Sequence, residues 1–293
     1  MQASIKPRNS IPGHAPRAHA MSFSRRTQRY AVIILCLSVL AGLFVTNALF
    51  SDTGVQTHLA LRKLPPSSEH WLGTDWLGRD MLIRTVQGLC LSLKIGVFAA
   101  GISVLISVLL GLCSATLGPW ADSVATSAID LVMSMPHLVL LILLSFTMGG
   151  GGKGVIIAVA LSHWPRPARI IRAEVLQLLQ ADYVRLSQRL GRTPLWIARH
   201  HMLPHVFPQI LISAILLFPH AILHAAGLTF LGFGLSPNHP SIGILLSESM
   251  RHLSTGYWWL AVFPGAALVC TVKIFDILGN TIKALIDPKT QQD

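Results

Sequence analysis

The chain has 293 residues, of which 52% are hydrophobic and only 12% are charged. Soluble domains carry about 25% charged residues. This composition, with a mean hydropathy of +0.58, therefore excludes an ordinary soluble protein and indicates a polytopic membrane protein. The formal net charge is +11, and its basic residues cluster before the first apolar run and between residues 166 and 199. That distribution favours flanks that fix membrane orientation over a nucleic-acid surface, for which no aromatic–basic interleaving is present.

Residues 1–29 are rich in Pro, Ser, Arg and His. This composition predicts a basic cytoplasmic tail. The apolar run at residues 30–50 follows. At about 20 residues it is too long for the apolar region of a signal peptide, so we predict a retained transmembrane helix. Residues 51–88 then form a predicted extracytoplasmic loop.

Five further apolar runs predict an all-α membrane domain over residues 89–279. The predicted spans lie at residues 89–117, 123–148, 155–164, 207–228 and 258–278. Pro136 is expected to kink the run at 123–148, and residues 229–257 are expected to form an outer loop. About six crossings put both termini in the cytoplasm. The same side then holds a basic segment at residues 165–206 and a tail at residues 280–293.

An eight-residue motif, GTDWLGRD, lies within the predicted extracytoplasmic loop 51–88. Its two glycines permit tight turns, and its last residue is placed to cap the following helix. The residues concerned are Gly73, Thr74, Asp75, Gly78, Arg79 and Asp80. Physical chemistry alone predicts a folded structural loop here rather than an active site.

The cytoplasmic segment at residues 183–204, YVRLSQRLGRTPLWIARHHMLP, carries four arginines and no acidic residue. Gly191 is placed to end one short helix with a left-handed C-cap, and Thr193-Pro194 is placed to begin the next. A short helix between two longer ones can pass a rigid-body displacement into the attached spans. We therefore predict that a cytoplasmic partner acts on this segment. The alternative is a solvated basic loop that only fixes the topology.

The same segment resembles the cytoplasmic loop of binding-protein-dependent ABC importer permeases. That family carries a Glu-Ala-Ala triplet, a glycine, and then Ile and Leu-Pro at fixed spacing. Here Gly191, Ile197, Leu203 and Pro204 match, while residues 185–187 are Arg-Leu-Ser instead of Glu-Ala-Ala. An ion pair that the family forms through this glutamate is therefore not expected here.

Three further motifs resemble the peptide/nickel branch of that family: GTDWLGRD, LTFLGFG at residues 228–234 and LIDP at residues 285–288. Together they cover most of the chain from about residue 70 onward. The resemblance implies the type I ABC importer permease fold with a cytoplasmic coupling helix. The positions that it assigns to ATPase coupling are Tyr183, Val184, Arg185, Leu186, Ser187, Arg189, Leu190, Gly191, Ile197, Leu203 and Pro204.

The resemblance also implies a half-pore in a bacterial cytoplasmic (inner) membrane. Its expected partners are a second homologous permease, two cytoplasmic ABC ATPase subunits and an extracytoplasmic solute-binding protein. The chain is then not an enzyme and binds no cofactor, because ATP is used by the partner. The glycine run at residues 149–152 agrees with this, since Gly154 stands where a phosphate-binding loop needs Ser or Thr.

His220 and His224 are four residues apart and share one helix face. Polar side chains within a membrane usually face an aqueous path, and imidazole is a favoured ligand of nickel, copper and zinc. We therefore predict that both line the translocation path. Peptide-type relatives tend to have an acidic residue near position 224. The histidine there, with ALSHW at residues 160–164, resembles the nickel-type permease C subunit and predicts nickel or a metal–chelate complex as cargo.

Three alternatives stay open. The two histidines could make ordinary interhelical hydrogen bonds, and because an i, i+4 pair lacks a third ligand, no firm metal site is predicted. The cargo could instead be a dipeptide or oligopeptide. A membrane-embedded enzyme or a stand-alone channel is a remote third alternative. No Ser-His-Asp or paired-carboxylate set stands out in the sequence, and the docking segment would then have no role.

Overall fold

The computed structural model describes residues 25–50 and 56–286. Within that part of the chain all regular structure is helical, apart from one β-bridge between Thr74 and Asp80. The α-helices are α1 (Arg25–Leu49), α2 (Met81–Thr116), α3 (Pro119–Ser134), α4 (His137–Thr147), α5 (Gly151–His163), α6 (Pro165–Leu178), α7 (Asp182–Arg189), α8 (Pro194–Ile197), α9 (Leu203–Phe230), α10 (Ile242–Leu253) and α11 (Trp259–Ile286). A short 3₁₀ turn covers Leu59–Leu61, and a π-helical turn, Ala198–Met202, joins α8 to α9.

Four of these helical stretches are long and apolar enough to cross a membrane: Arg26–Leu49, α2, Pro194–Phe230 and α11. A fifth is added if α3 and α4, which are bent by 101° at their junction, form one span. The predicted span at 155–164 corresponds to α5. With 13 residues it is about 20 Å long, short of a hydrocarbon core of about 30 Å. The count of six crossings therefore stays a prediction.

The helix that carries the second predicted span, residues 89–117, begins earlier, at Met81. The side chain of Asp80 accepts a hydrogen bond from the backbone N–H of Leu82 at 2.8 Å and caps the helix as predicted. This cap lets the helix begin within the polar residues that the hydropathy pattern placed in the extracytoplasmic loop.

The predicted kink at Pro136 is a complete break between α3 and α4. Met135, which precedes the proline, has an extended backbone with ψ of 142°. Proline disfavours the helical conformation of the residue before it and cannot donate a backbone hydrogen bond. The chain therefore turns through a large angle, and His137 becomes the first residue of α4.

The predicted outer loop at residues 229–257 contains a helix, α10. Ser241 caps it by accepting a hydrogen bond from the N–H of Ile244 at 3.3 Å. Ile242 and Leu245 are buried against the main core. At the C-terminal end, α11 continues to Ile286, so the beginning of the predicted tail 280–293 is helical.

The two ends of the described chain lie side by side. The guanidinium of Arg29, near the start of α1, donates to the carbonyl of Ala284, near the end of α11, at 2.7 Å. Residues 1–24 and 287–293, which carry most of the predicted N-terminal tail and the last two residues of LIDP, lie outside the described residues.

The long helix α2 connects two hydrophobic clusters. Near its beginning, Leu89 and Leu93 pack in the main core with residues of α5 and α9. Near its end, Val108 and Leu112 pack against a second cluster built from α6 to α9. A Cβ atom at Gly111 would lie 2.8 Å from Ile171 of α6, so the absence of a side chain there permits the close approach of α2 and α6.

We expect leucine at Gly111 to force α2 and α6 apart and to destabilise the protein by about 1–3 kcal/mol, the usual cost of overpacking. Gly101 on the same helix is the matched control, since no atom lies within 4 Å of a Cβ there. Thermal unfolding of the purified proteins checks this. Equal midpoints for Gly111→Leu and Gly101→Leu would show that the contact is not tight.

Candidate functional site

A cavity of about 490 Å³ lies among α3, α4, α5, α6, α9 and α11. Four histidines line it, and they come from three helices: His137 begins α4, His163 ends α5, and His220 and His224 lie in α9. The break at Pro136 and the junction between α5 and α6 bring the first two together although they are far apart in sequence.

Three of these histidines form a compact cluster. The ring centroids of His137 and His163 are 4.7 Å apart, those of His137 and His224 are 4.7 Å apart, and those of His163 and His224 are 4.9 Å apart. One ring nitrogen of each residue lies within 4.8 Å of the corresponding nitrogens of the other two. The rings meet edge to face, and the short nitrogen spacing leaves one nitrogen of each ring near the other two.

The orientation of His163 is fixed by its own helix. Its Nδ1 lies 2.9 Å from the carbonyl oxygen of Val159 and 2.9 Å from the hydroxyl of Ser162. Because a carbonyl can only accept a hydrogen bond, the proton is assigned to Nδ1. The lone pair of this neutral imidazole is then on Nε2, where it is available as a ligand.

His220 differs from its predicted companion His224. Both line the cavity, as their spacing on one helix face predicts, but only His224 belongs to the cluster. The ring of His220 is exposed, and its Nδ1 lies 3.0 Å from the carbonyl of Leu216. Sequence reasoning missed His137 and His163 as members of this site. Two features of the sequence mark these residues: Pro136 directly precedes His137, and the ALSHW stretch at residues 160–164 contains His163.

The cavity lining is positively charged. Arg166 and Lys283 contribute cationic side chains, and none of the described residues that line the cavity is acidic. Arg166 follows His163 by three residues, on the first turn of α6. The cavity therefore combines imidazole nitrogens with groups that attract carboxylates.

The predicted coupling segment forms α7, a tight turn and α8. Gly191 has φ of +78°, the N–H of Gly191 donates to the carbonyl of Gln188, and the N–H of Arg192 donates to that of Ser187. This pair of bonds is a Schellman C-cap, which favours glycine at the left-handed position. Thr193 then caps α8 by accepting from the N–H of Trp196 at 3.2 Å.

An apolar edge of α7, continued by its C-cap residue Leu190, points outward. The side chains of Tyr183, Leu186 and Leu190 are 48%, 58% and 73% exposed. Val184 alone in α7 is fully buried. An exposed apolar edge among arginines is a surface suited to a protein partner.

A buried cluster attaches this segment to the rest of the chain. Val184 and Ile197 pack with Ile171 of α6 and with Met202 and Val206 at the start of α9. A displacement of α7 therefore acts on two long helices at once.

Polar and aromatic contacts also hold the segment together. The hydroxyl of Ser187 lies 3.0 Å from Nε2 of His201, and the Trp196 ring stacks on His200 with centroids 4.4 Å apart. Arg185, at the position of the family's glutamate, bonds to Gln180. The predicted positions Arg189, Leu203 and Pro204 are exposed.

The GTDWLGRD loop is tightly folded at the start of α2. Gly73 has φ of +74°, and a Cβ there would lie 2.7 Å from the carbonyl oxygen of Leu64. Gly78 also has a positive φ, of +77°. Thr74 is completely buried, and the indole N–H of Trp259 donates to its carbonyl at 3.4 Å.

Buried charges tie this loop to α2 and α10. Asp75 accepts from Arg79 at 2.7 Å and from Arg84 at 2.6 Å. Arg84, itself buried, also donates to Glu248 of α10 at 3.0 Å. These contacts attach the loop to α2 and α10, and its structural role stays a prediction.

The comparisons with known proteins identify the family. Residues 79–292 match the family of binding-protein-dependent transport system inner membrane components. The chain belongs to this family, so it is a multi-pass inner-membrane permease subunit of an ABC transporter. It is 34% identical to the dipeptide transport system permease protein DppC of Bacillus subtilis, over 92% of this chain and 85% of that protein. It is also 34% identical to the oligopeptide transport system permease protein OppC of the same organism, over 92% of this chain and 88% of that protein.

Solved structures show the fold. A chain of the MetNI methionine ABC transporter in an inward-facing conformation matches with a TM-score of 0.58 and 18% identity, over 71% of this chain and 98% of that chain. An amino acid ABC transporter matches with a TM-score of 0.52 and 20% identity, over 69% and 94% of the two chains. The chain therefore has the predicted all-α type I ABC importer permease fold.

Proposed function

We propose that this chain is one half of the transmembrane pathway of an ATP-driven importer for dipeptides or oligopeptides. The observation that carries the proposal is its 34% identity, over nine-tenths of its length, to permeases named for dipeptide and oligopeptide transport. Its partners are a second homologous permease, two cytoplasmic ATPase subunits and an extracytoplasmic solute-binding protein. ATP is hydrolysed by the ATPase partner and not by this chain, and both termini lie in the cytoplasm.

The proposed coupling mechanism runs through α6. This helix begins at Pro165, two residues after His163, and ends at Leu178, four residues before α7 begins. The ATPase holds the exposed edge of α7, and ATP-driven closure of the two ATPases displaces it. Because Val184 and Ile171 belong to one buried cluster, the displacement passes to α6 and reaches the wall of the cavity. Alternating access then follows from two discrete packings of the helix bundle.

The cavity lining is compatible with a peptide. Arg166 and Lys283 line it, and both can bind the carboxylate of a peptide C-terminus. Its walls combine apolar side chains with a few polar groups, as is usual for small-molecule sites.

Nickel or a metal–chelate complex is the second candidate cargo. The specific observation in its favour is the cluster of His137, His163 and His224, because three convergent imidazoles are unusual ligands for a peptide and favourable ligands for nickel, copper or zinc.

Uptake measurements distinguish the two cargoes. Cells that express the complete transport system are given a labelled dipeptide, or labelled nickel with and without a carboxylate chelator. Cells with a hydrolysis-deficient ATPase serve as the control. We expect ATP-dependent dipeptide uptake that is indifferent to nickel. Nickel uptake without dipeptide uptake would show that the cargo is nickel or its chelate and not a peptide. ATP-independent flux of either cargo would contradict the importer function.

A further inference from the structure

We propose that His137, His163 and His224 form a binding site for a divalent transition-metal ion held by a small carboxylate chelator. The site deepens the second cargo candidate, and it rests on the proposed function only for the statement that the cavity belongs to the transport path. Binding of the metal by the three imidazoles is a property of the cluster itself and can be measured without transport.

The spacing of the nitrogen atoms is close to what a metal requires. They lie within 4.8 Å of one another. In a six-coordinate site with metal–nitrogen bonds of about 2.1 Å, three imidazole nitrogens on one face would be about 3.0 Å apart. Small rotations of His137 and His224 can close this difference. Both side chains are only partly buried and face the cavity.

The hydrogen bonds of the cluster also favour a metal. His163 donates from Nδ1 to the Val159 carbonyl, which is the usual way a protein orients a metal-binding histidine and raises its basicity. Within the described part of the chain, His137 and His224 make ring contacts with the cluster and no hydrogen bond. Both rings line the cavity, so coordination to one ion would engage them together with Nε2 of His163.

The charges around the cluster favour a chelated metal ion over a bare divalent cation. Arg166 and Lys283 line the same cavity, and the described lining residues include no carboxylate. Bare divalent cations would therefore meet like charge without a compensating anion. A chelator that contributes carboxylates can pair with Arg166, and one that leaves coordination positions open allows the three imidazoles to bind the metal.

The test uses the complete transporter complex, purified through a tag without histidine and reconstituted in lipid nanodiscs. Three probes are compared: nickel chloride, nickel–iminodiacetate, which leaves three coordination positions open, and nickel–EDTA, in which all positions are filled. Bound nickel is measured by equilibrium dialysis, and X-ray absorption at the nickel edge counts the imidazole ligands. We expect nickel–iminodiacetate to bind more tightly than nickel chloride, with three imidazoles on the metal, and nickel–EDTA not to bind.

Variants assign the site to particular residues. His137→Ala and His224→Gln should each weaken nickel binding about tenfold or more. His239→Ala, which removes an exposed histidine outside the cavity, should not change it. Arg166→Ala should remove the preference for nickel–iminodiacetate over nickel chloride. Since the ligand count is made on the unaltered complex, the result does not depend on how well the variants fold.

The proposal is overturned if the unaltered complex binds none of the three probes, or if His137→Ala and His239→Ala bind nickel equally. It is also overturned if nickel–EDTA binds as well as nickel–iminodiacetate. None of these results affects ATP-dependent dipeptide uptake, so failure of the metal site and failure of the importer function are distinguishable.

Discussion

The substitution Gly191→Val is expected to leave the permease in the membrane but to abolish uptake of its cargo. Gly191 has φ of +78° and open space around its Cβ position, so the effect comes from the backbone and not from a collision. A β-branched residue in this conformation costs about 1–3 kcal/mol, and the Schellman cap that sets the angle between α7 and α8 is lost. Two measurements check this: the amount of ATPase that co-purifies with the permease, and the uptake of cargo.

Gly256→Val is the matched control for that experiment. Gly256 also has a positive φ, of +91°, and no atom lies within 4 Å of its Cβ position. It stands in the turn before α11, near the GTDWLGRD loop and away from the coupling segment. A variant there should bind the ATPase normally. Normal ATPase binding and normal uptake in Gly191→Val would contradict the coupling role of the segment.

Leucine at Arg84 is expected to destabilise the protein by about 3–5 kcal/mol, because breaking a buried ion pair leaves its partners uncompensated. The Arg84 guanidinium is buried between Asp75, at 2.6 Å, and Glu248, at 3.0 Å. Arg79 remains to neutralise Asp75, but it lies 4.0 Å from Glu248. The thermal unfolding midpoint of the purified protein in detergent measures the loss.

Arg62→Leu is the control, because Arg62 is exposed and belongs to none of the ion pairs in the described residues. It should unfold at the temperature of the unaltered protein. If Arg84→Leu also unfolds at the temperature of the unaltered protein, the buried network does not hold the loop against α10. The GTDWLGRD loop then has a different role.

The long apolar helices could be predicted from the sequence because their signal is local. Hydropathy alone locates α1, α9 and α11, although their ends differ by several residues from the predicted ones. It cannot locate the start of α2, where Arg84 is buried by partners that come from a loop and from α10. Burial of a charge by distant partners is a tertiary effect that a hydropathy window does not contain.

The two larger differences between the predicted and the observed helices have a common cause. Glycines and prolines at residues 232–240 predict a loop, and the structure has a loop at these residues. Directly after it, however, Ser241 caps a helix. Pro136 is expected to kink one helix, whereas it separates two. In both regions the sequence marks the interruption correctly, and the packing of the flanking residues decides whether a helix resumes after it.

The coupling segment can be predicted more fully than the cavity. Its turn depends on Gly191 and Thr193-Pro194, which are adjacent in sequence, so local rules are sufficient. The histidine cluster depends on three residues from three helices. Of these, the sequence predicts only His224, and its expected companion, His220, bonds to its own helix. Sites assembled by tertiary packing require the fold before their members can be recognised.

The central claim is that α7 presents its exposed apolar edge to an ATPase, and photo-cross-linking tests it most directly. A photoreactive phenylalanine is placed at Leu186, which is 58% exposed, and, as a control, at Trp71 near the GTDWLGRD loop, which is 70% exposed. In membranes that contain the complete transporter, we predict a cross-link to the ATPase from position 186 and none from position 71. The absence of an ATPase adduct at position 186, or equal adducts at both positions, would contradict the claim.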